Sequence, residues 1–102
     1  MIKIAISSDA PHFSQEHILF GHSYLLEFEW IERGQIWVLH IFDSQESPIA
    51  LGLKVALELP LFIDRARSII FWLTAKNPNA SLDLLSFHKD FVLMVEAIDA
   101  AL

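Results

Sequence analysis

Three stretches of the chain are apolar at nearly every position. They are residues 36–42, residues 69–73 and residues 91–95. Successive side chains of a β-strand point to opposite faces of its sheet, so a strand with one solvated face should alternate apolar with polar residues. The three stretches therefore predict strands that are covered on both faces. Because few segments of the chain resemble helices, we expect another protein chain to cover the second face.

The clearest alternation precedes the first of these stretches. One face carries four apolar side chains, Tyr24, Leu26, Phe28 and Trp30. Glu27 and Glu29 lie on the opposite face, and residues 32–35 have the composition of a turn. This pattern predicts an antiparallel hairpin over residues 22–42.

Shorter patterns predict further strands. Residues 2–6 are predicted as an edge strand, and His12 to Leu19 as a strand that ends in a tight turn at residues 20–22. Two more strands are predicted over residues 49–57, with a bulge or bend at Gly52, and over residues 68–75. Pro48 has no amide proton, so it should begin a strand or lie on a sheet edge. Residues 76–81 form the strongest cluster of turn-forming residues.

The sequence does not decide between helix and another structure in three segments. Residues 60–67 fit one helical turn or a loop, and residues 82–88 fit a short helix or irregular structure. Residues 90–102 fit a strand or a helical stripe, and their β-branched and aromatic residues favour a strand through about residue 98. The whole pattern predicts one all-β domain over residues 1–102, a small antiparallel barrel or sandwich with a short helical turn possible near residues 60–67.

Composition narrows the class of protein. Hydrophobic residues make up 54% of the 102 residues and charged residues 20%, against about 45–50% and about 25% in a typical soluble domain. The net charge is −6, and the only close basic pair is Arg65 and Arg67, which disfavours binding to nucleic acid phosphates. There is no cysteine, so disulfides and thiolate metal sites are excluded. The polar N-terminal segment and the lack of a run of roughly 18–20 apolar residues predict neither a signal peptide nor a membrane anchor.

The residues that could carry chemistry form no recognised motif. His12, Glu16 and His17 have a spacing that matches no known zinc signature. Glu27 and Glu29 are close on one strand face, and we interpret them as a solvated outer face whose repulsion a cross-strand Arg33 or Lys54 could relieve. No serine lies in a nucleophile elbow, and the three glycines form no phosphate-binding loop. The sequence therefore predicts no catalytic residue, no cofactor and no metal site, and a protein that is not an enzyme.

The aromatic residues of the doubly apolar strands are candidates for an interface. Trp30 lies on the apolar face of an alternating strand and is expected in the core. Trp37 and Trp72 have apolar neighbours on both sides, so at least one of them could face a partner, since tryptophan is enriched among interface hot spots. A core role is the simpler interpretation of each of them taken singly. We predict an oligomer interface that includes Trp37, Phe71 and Trp72.

The middle of the chain resembles a known family. A glycine turn at Gly21 is followed by an alternating strand that ends at Trp30, a turn at Gly34 and a tryptophan-bearing strand, Trp37-Val38-Leu39-His40-Ile41-Phe42-Asp43. A polar loop then leads to Pro48-Ile49, with Gly52 four residues after the proline. Over residues 20–57 this is similar to the small baseplate plug proteins of contractile-tailed bacteriophages, a family known from a cyanophage baseplate.

The resemblance implies a structural role and no catalytic residues. It implies a virion protein, made in the host cytoplasm and present in several copies at the baseplate hub, that closes or lines the distal end of the tail tube. Its partners would be further copies of itself in a ring, together with the tube, hub and spike proteins.

Two other functions are compatible with the residues. A small acidic chain, with an isoelectric point near 5.1, could be an immunity protein or antitoxin that binds a basic partner. A small β-barrel enzyme or ligand carrier would instead need a pocket with convergent polar groups, and no such set of residues is evident in the sequence.

Overall fold

Two four-stranded antiparallel sheets pack face to face in this structure, a computed structural model that describes residues 1–57 and 60–98. The elements are β1 (Ile2–Ala5), β2 (His12–Leu19), β3 (His22–Ile31), β4 (Ile36–Phe42), β5 (Pro48–Lys54), β6 (Phe62–Asp64), β7 (Ile69–Ala75), α1 (Phe87–Asp90) and β8 (Phe91–Ala97). The sheets do not close into a barrel. Of the two architectures that the sequence predicts, the sandwich is therefore confirmed.

The first sheet, here called the meander sheet, has the strand order β2-β3-β4-β5. The predicted hairpin over residues 22–42 is confirmed as β3 and β4, with Leu26 opposite Ile41 and Phe28 opposite Leu39. The turn between β2 and β3 places Phe20 at φ 51° and Gly21 at φ 83°. Two successive positive φ values suit the right-handed twist of a hairpin, and Gly21 adopts its value without steric cost.

Strand β5 forms one edge of the meander sheet, as its proline requires. Pro48 begins the strand, where its missing amide proton removes no internal hydrogen bond. The bulge expected at Gly52 is confirmed, because the register with β4 shifts between Leu39 and Ile41 and Gly52 has φ 70°. Past β5, Leu57 makes an isolated parallel bridge to Leu73 in the other sheet.

The second sheet, here called the terminal sheet, has the order β1-β8-β7-β6 and joins the first strand to the last. Ile2 lies opposite Val95 and Ile4 opposite Leu93. The predicted strand near the end of the chain is therefore confirmed over Phe91–Ala97, and the helical alternative for this segment is wrong. The final part of that alternative, residues 99–102, lies outside the described residues.

The short helix does not lie at residues 60–67, and it begins within residues 82–88, which the sequence left open between a short helix and irregular structure. Residues 62–64 form β6, with Phe62 opposite Phe71, and residues 65–68 form a turn. Pairing of Leu61 N–H with the Phe71 carbonyl at 2.8 Å aligns this segment along β7 instead of coiling it. The helix is the four-residue α1, directly before β8. Within residues 1–57 and 60–98, no helix has the length and apolar character to cross a membrane.

The core lies between the two sheets and is rich in aromatic residues. The Trp37 indole stacks on Phe87 of α1 at 4.5 Å between ring centroids and donates a hydrogen bond of 3.0 Å to the Asp83 carbonyl. Phe28 meets Phe87 edge to face at 5.5 Å. These contacts hold the segment before β8 over one end of the sandwich, since aromatic pairs contribute about 0.5–1.5 kcal/mol beyond their buried area.

Candidate assembly surface

The direction of each side chain in the terminal sheet follows from strand pairing. In β7, Ile69, Phe71 and Leu73 point into the core and are at most 2% exposed. Their neighbours in sequence, Ile70 and Trp72, must point outward, and both are half-buried. This outward side, which we call the apolar outer face, consists of Ile63, Ile70, Trp72, Val92 and Met94.

The structure separates the three residues predicted at an oligomer interface. Trp37 is 1% exposed and Phe71 is 0% exposed, both within the chain's own core. Neither side chain retains surface with which to contact another protein. Trp72 lies on the apolar outer face and remains half-buried, so an interface role for Trp72 stays a prediction.

Within the apolar outer face the strands place apolar residues side by side. Met94 lies between Lys3 and Trp72 in register and is only 6% exposed. Ile63 lies directly opposite Ile70. A single exposed apolar residue is ordinary, but a continuous apolar stripe on a sheet face is typical of an interaction surface.

A groove of about 580 Å³ adjoins this face. Its lining is mainly apolar and comes from four segments of the chain: Leu57, Pro60, Ile70, Trp72, Leu73, Thr74, Ala75, Asn77, Pro78 and Ala80. Trp72 thus belongs both to the outer face and to the groove. The lining carries no ionisable side chain among these residues, which suits apolar packing more than acid–base chemistry.

Charges near the apolar outer face are few and of opposite sign. Lys3 of β1 lies opposite Met94 of β8, and Glu96 of β8 lies opposite Ile70 of β7. The amino group of Met1 lies 3.2 Å from Glu96 Oε1. The acidic excess of the chain is therefore not concentrated on this surface, and like-charge repulsion would not prevent another protein from covering it.

The outer face of the meander sheet carries the two glutamates predicted to lie there. Glu27 Oε2 is 3.0 Å from His12 Nε2, and Glu29 Oε1 is 3.2 Å from His40 Nε2. Histidines, rather than the basic residues considered from the sequence, are therefore the partners of these carboxylates. Among the described residues, no three His, Asp or Glu side chains are grouped closely enough to hold a metal ion.

One carboxylate is buried, and its surroundings explain its charge. Asp64 is 3% exposed and accepts hydrogen bonds from the Tyr24 hydroxyl at 2.8 Å and from Arg67 Nη1 at 3.0 Å. Burial alone would raise the pKa of Asp64, but these hydrogen bonds and the arginine charge outweigh it and lower that pKa. Burial, with the hydrogen bond to Asp64, raises the pKa of Tyr24. The group links the two sheets and is enclosed, so it is structural.

Two other side chains have a shifted pKa, and each shift has a local cause. Partial burial lowers the pKa of His17, whose Nε2 lies 2.8 Å from Gln15 Nε2. Hydrogen bonds from the hydroxyl and backbone N–H of Ser86 lower the pKa of Asp83. Neither residue lines the groove beside Trp72.

Sequence reasoning missed several residues of this surface. Ile63 belongs to a three-residue strand that is too short to show an alternation. Pro60 begins a segment that the sequence left open between a helical turn and a loop, and Pro78 lies in a predicted turn, yet both line the groove. The one available signal was the doubly apolar pattern of β7, which identified the strand but not the outward residue.

The comparisons with known proteins identify one family. The sequence matches the family described as cyanophage baseplate Pam3 plug gp18 over residues 1–97. No curated protein matches the chain.

Proposed function

Since this chain belongs to the cyanophage baseplate plug family, we propose that it closes or lines the distal end of the tail tube in a contractile-tailed phage. Family membership supports a structural role in the virion baseplate, with other baseplate components as partners. The hub position and the closing of the tube are the finer parts of the proposal.

The observation that carries the proposal is the apolar outer face of the terminal sheet. A baseplate component functions by being covered by its neighbours, and this face presents Ile70 and Trp72 without a second layer from the described part of the chain. We propose a second copy of this chain as the occupant. A ring of identical subunits needs two different complementary surfaces on each subunit.

The second surface in this proposal is the free edge of β5. Leu51 on this edge is 58% exposed, and β5 pairs with only one strand of its own sheet. An edge strand has unpaired backbone groups that can pair with another chain. In a ring contact, the Leu51 side chain beside this edge would pack on the apolar outer face of the next subunit, while the edge backbone would stay open to water or to a strand edge of that subunit.

The charge of the chain also supports a place beside the DNA path. Thirteen acidic residues outnumber seven basic residues, which gives a net charge of −6. Negative surface repels the phosphate backbone, so DNA would pass such a wall without adhering to it.

The test is incorporation into tails by a variant of the proposed contact. Phage that carry Trp72→Glu should produce tails with a strongly reduced amount of this subunit, because a carboxylate would be buried without a partner at the interface. Leu85→Glu is the matched control, since Leu85 is 73% exposed and lies on neither proposed surface. Quantitative mass spectrometry of purified tails measures both.

Imaging separates the two parts of the proposal. Tails that lack this subunit should show an open distal tube and should lose DNA on storage. Intact closed tails without the subunit would contradict the plugging role. Normal incorporation of Trp72→Glu would contradict the proposed contact surface. An image in which a tube, hub or spike protein covers the apolar outer face would contradict the second copy as its occupant.

A further inference from the structure

The bulge in β5 places one histidine against an unpaired backbone donor. Leu39 pairs with Leu53 and Ile41 pairs with Ala50. Two residues of β5, Leu51 and Gly52, therefore lie opposite the single residue His40 of β4. Such a bulge disrupts the regular ladder of backbone hydrogen bonds.

The His40 imidazole takes the place of the missing backbone partner. The Gly52 backbone N–H donates to His40 Nδ1 at 3.0 Å. A backbone N–H can only donate, so Nδ1 must carry a lone pair and no proton. In the neutral ring the proton then resides on Nε2, which lies 3.2 Å from Glu29 Oε1 and donates to it. The two contacts fix one tautomer of His40.

We propose that neutral His40 is a pH-sensitive catch that holds β5 against β4. A second proton on the ring must bind at Nδ1, where the new N–H would point directly at the Gly52 N–H. Two donors cannot share a hydrogen bond, so protonation breaks the contact and frees the bulged part of the edge strand. Strand β5 gives way rather than β4, because β5 has a neighbour on one side only.

The charged and titratable groups that face His40 come from three strands. Glu27 lies directly opposite on β3, and Glu29, also on β3, accepts from Nε2. Lys54 lies on β5, opposite Val38. His12 lies on β2, with its Nε2 3.0 Å from Glu27 Oε2. A second proton on His40 leaves the contact from Nε2 to Glu29 in place, so the contact with Gly52 is the one that is lost.

Nuclear magnetic resonance measures both the protonation of the His40 ring and the hydrogen bond of Gly52. The ring nitrogen shifts of ¹⁵N-labelled protein identify which nitrogen of His40 bears the proton, and amide exchange at Gly52 reports the hydrogen bond. At about pH 7.5 Nδ1 should be unprotonated, and toward about pH 5 it should gain a proton. Over the same range the Gly52 amide, corrected for its intrinsic exchange rate, should lose about three- to tenfold in protection. The Phe28 amide, within the sheet, should stay unchanged.

Three variants distinguish the catch from a general effect of acid. His40→Asn offers a side-chain oxygen near the position of Nδ1 and does not titrate, so its Gly52 protection should be independent of pH. His40→Phe has no acceptor and should leave Gly52 unprotected throughout. His12→Asn is the matched control, because His12 also pairs with a glutamate but contacts no backbone donor, and it should keep the wild-type response.

Either of two results overturns the proposal. One is a proton on Nδ1 at about pH 7.5, and the other is a Gly52 amide whose protection does not change down to about pH 5, whether or not His40 titrates. The wild-type spectra alone decide both, so the test does not depend on whether the variants fold. The inference is independent of the proposed baseplate function.

Discussion

The Tyr24 hydroxyl donates a hydrogen bond of 2.8 Å to Asp64 Oδ2, and this bond joins β3 of the meander sheet to β6 of the terminal sheet. Arg67 completes the group from one turn further along, with its guanidinium 3.0 Å from the same oxygen. The Tyr24 ring also packs edge to face on Phe71 at 5.4 Å. A buried carboxylate is stable only when its partners are in place, so this group couples the packing of the sheets to a specific polar contact.

Tyr24→Phe removes the hydroxyl and keeps the ring. A hydrogen bond to a charged group is worth about 1.5–3 kcal/mol, and Arg67 remains to satisfy part of the carboxylate. We expect the free energy of unfolding to fall by about 2 kcal/mol, measured by urea denaturation. An unchanged midpoint would show that the hydroxyl contributes nothing to the link between the sheets.

Acid should weaken the fold through Asp64. Burial raises its pKa, but the bonds from Tyr24 and Arg67 lower it further, to below its usual value. A carboxylate whose folded pKa is depressed contributes stability above its unfolded pKa of about 3.9, and this contribution is lost as the pH falls through the folded value. Wild-type stability should therefore drop steeply below about pH 4.

Asp64→Asn tests this assignment. The variant should be less stable than wild type at neutral pH, and the difference should narrow as the pH falls below about 4. Some acid dependence should remain, because Ser86 still lowers the pKa of Asp83. Parallel curves of unfolding free energy against pH for the two proteins would assign the acid dependence to another group.

The sequence predicted β3 of the meander sheet well because this strand has one solvated face. Tyr24, Leu26 and Phe28 point inward, and Glu27 points outward, as the alternation requires. In β7 both faces are apolar, so the pattern identifies a strand. It does not tell which of the two alternating sets of side chains points into the core. The choice of Phe71 for the core and Trp72 for the surface comes from pairing with β8, which no local pattern contains.

Residues 60–67 show a second limit of local patterns. Asp64 points inward from β6, and its partner Tyr24 is forty positions away along the chain. An aspartate followed by two arginines within three residues is typical of an exposed turn. Burial of Asp64 becomes favourable only when the two sheets bring Tyr24 and Arg67 to it, so tertiary structure overrides the local preference.

The two tryptophans of the doubly apolar strands should respond differently to truncation. Trp37→Ala removes a fully buried ring that contacts Phe87 and Phe13, and it should cost about 3–5 kcal/mol in unfolding free energy. Trp72→Ala should cost no more than about 1 kcal/mol, because its ring is part of a half-solvated face. Far-ultraviolet circular dichroism in urea measures both without depending on tryptophan fluorescence. Equal losses would mean that Trp72 belongs to the core.

The Gln15 side chain connects the two sheets at their other edge. Gln15 Nε2 donates to the Ala5 carbonyl at 3.0 Å, and the Ser7 backbone N–H donates to Gln15 Oε1 at 3.0 Å. One amide thus satisfies two backbone groups next to β1, which is itself an edge strand. Gln15→Ala should lower the free energy of unfolding by about 1–2 kcal/mol and should speed exchange of the Ser7 amide by about fivefold or more.

Gln15→Glu is the matched variant for this contact, because a carboxylate still accepts from Ser7 but cannot donate to Ala5. Exchange at Ser7 should therefore remain slow in Gln15→Glu and become fast only in Gln15→Ala, whereas both variants lose stability. Hydrogen exchange followed residue by residue separates the two bonds in this way. If Ser7 exchanges equally fast in the two variants, the acceptor for its N–H is not the Gln15 side chain, and the link between β1 and β2 must come from the connecting segment instead.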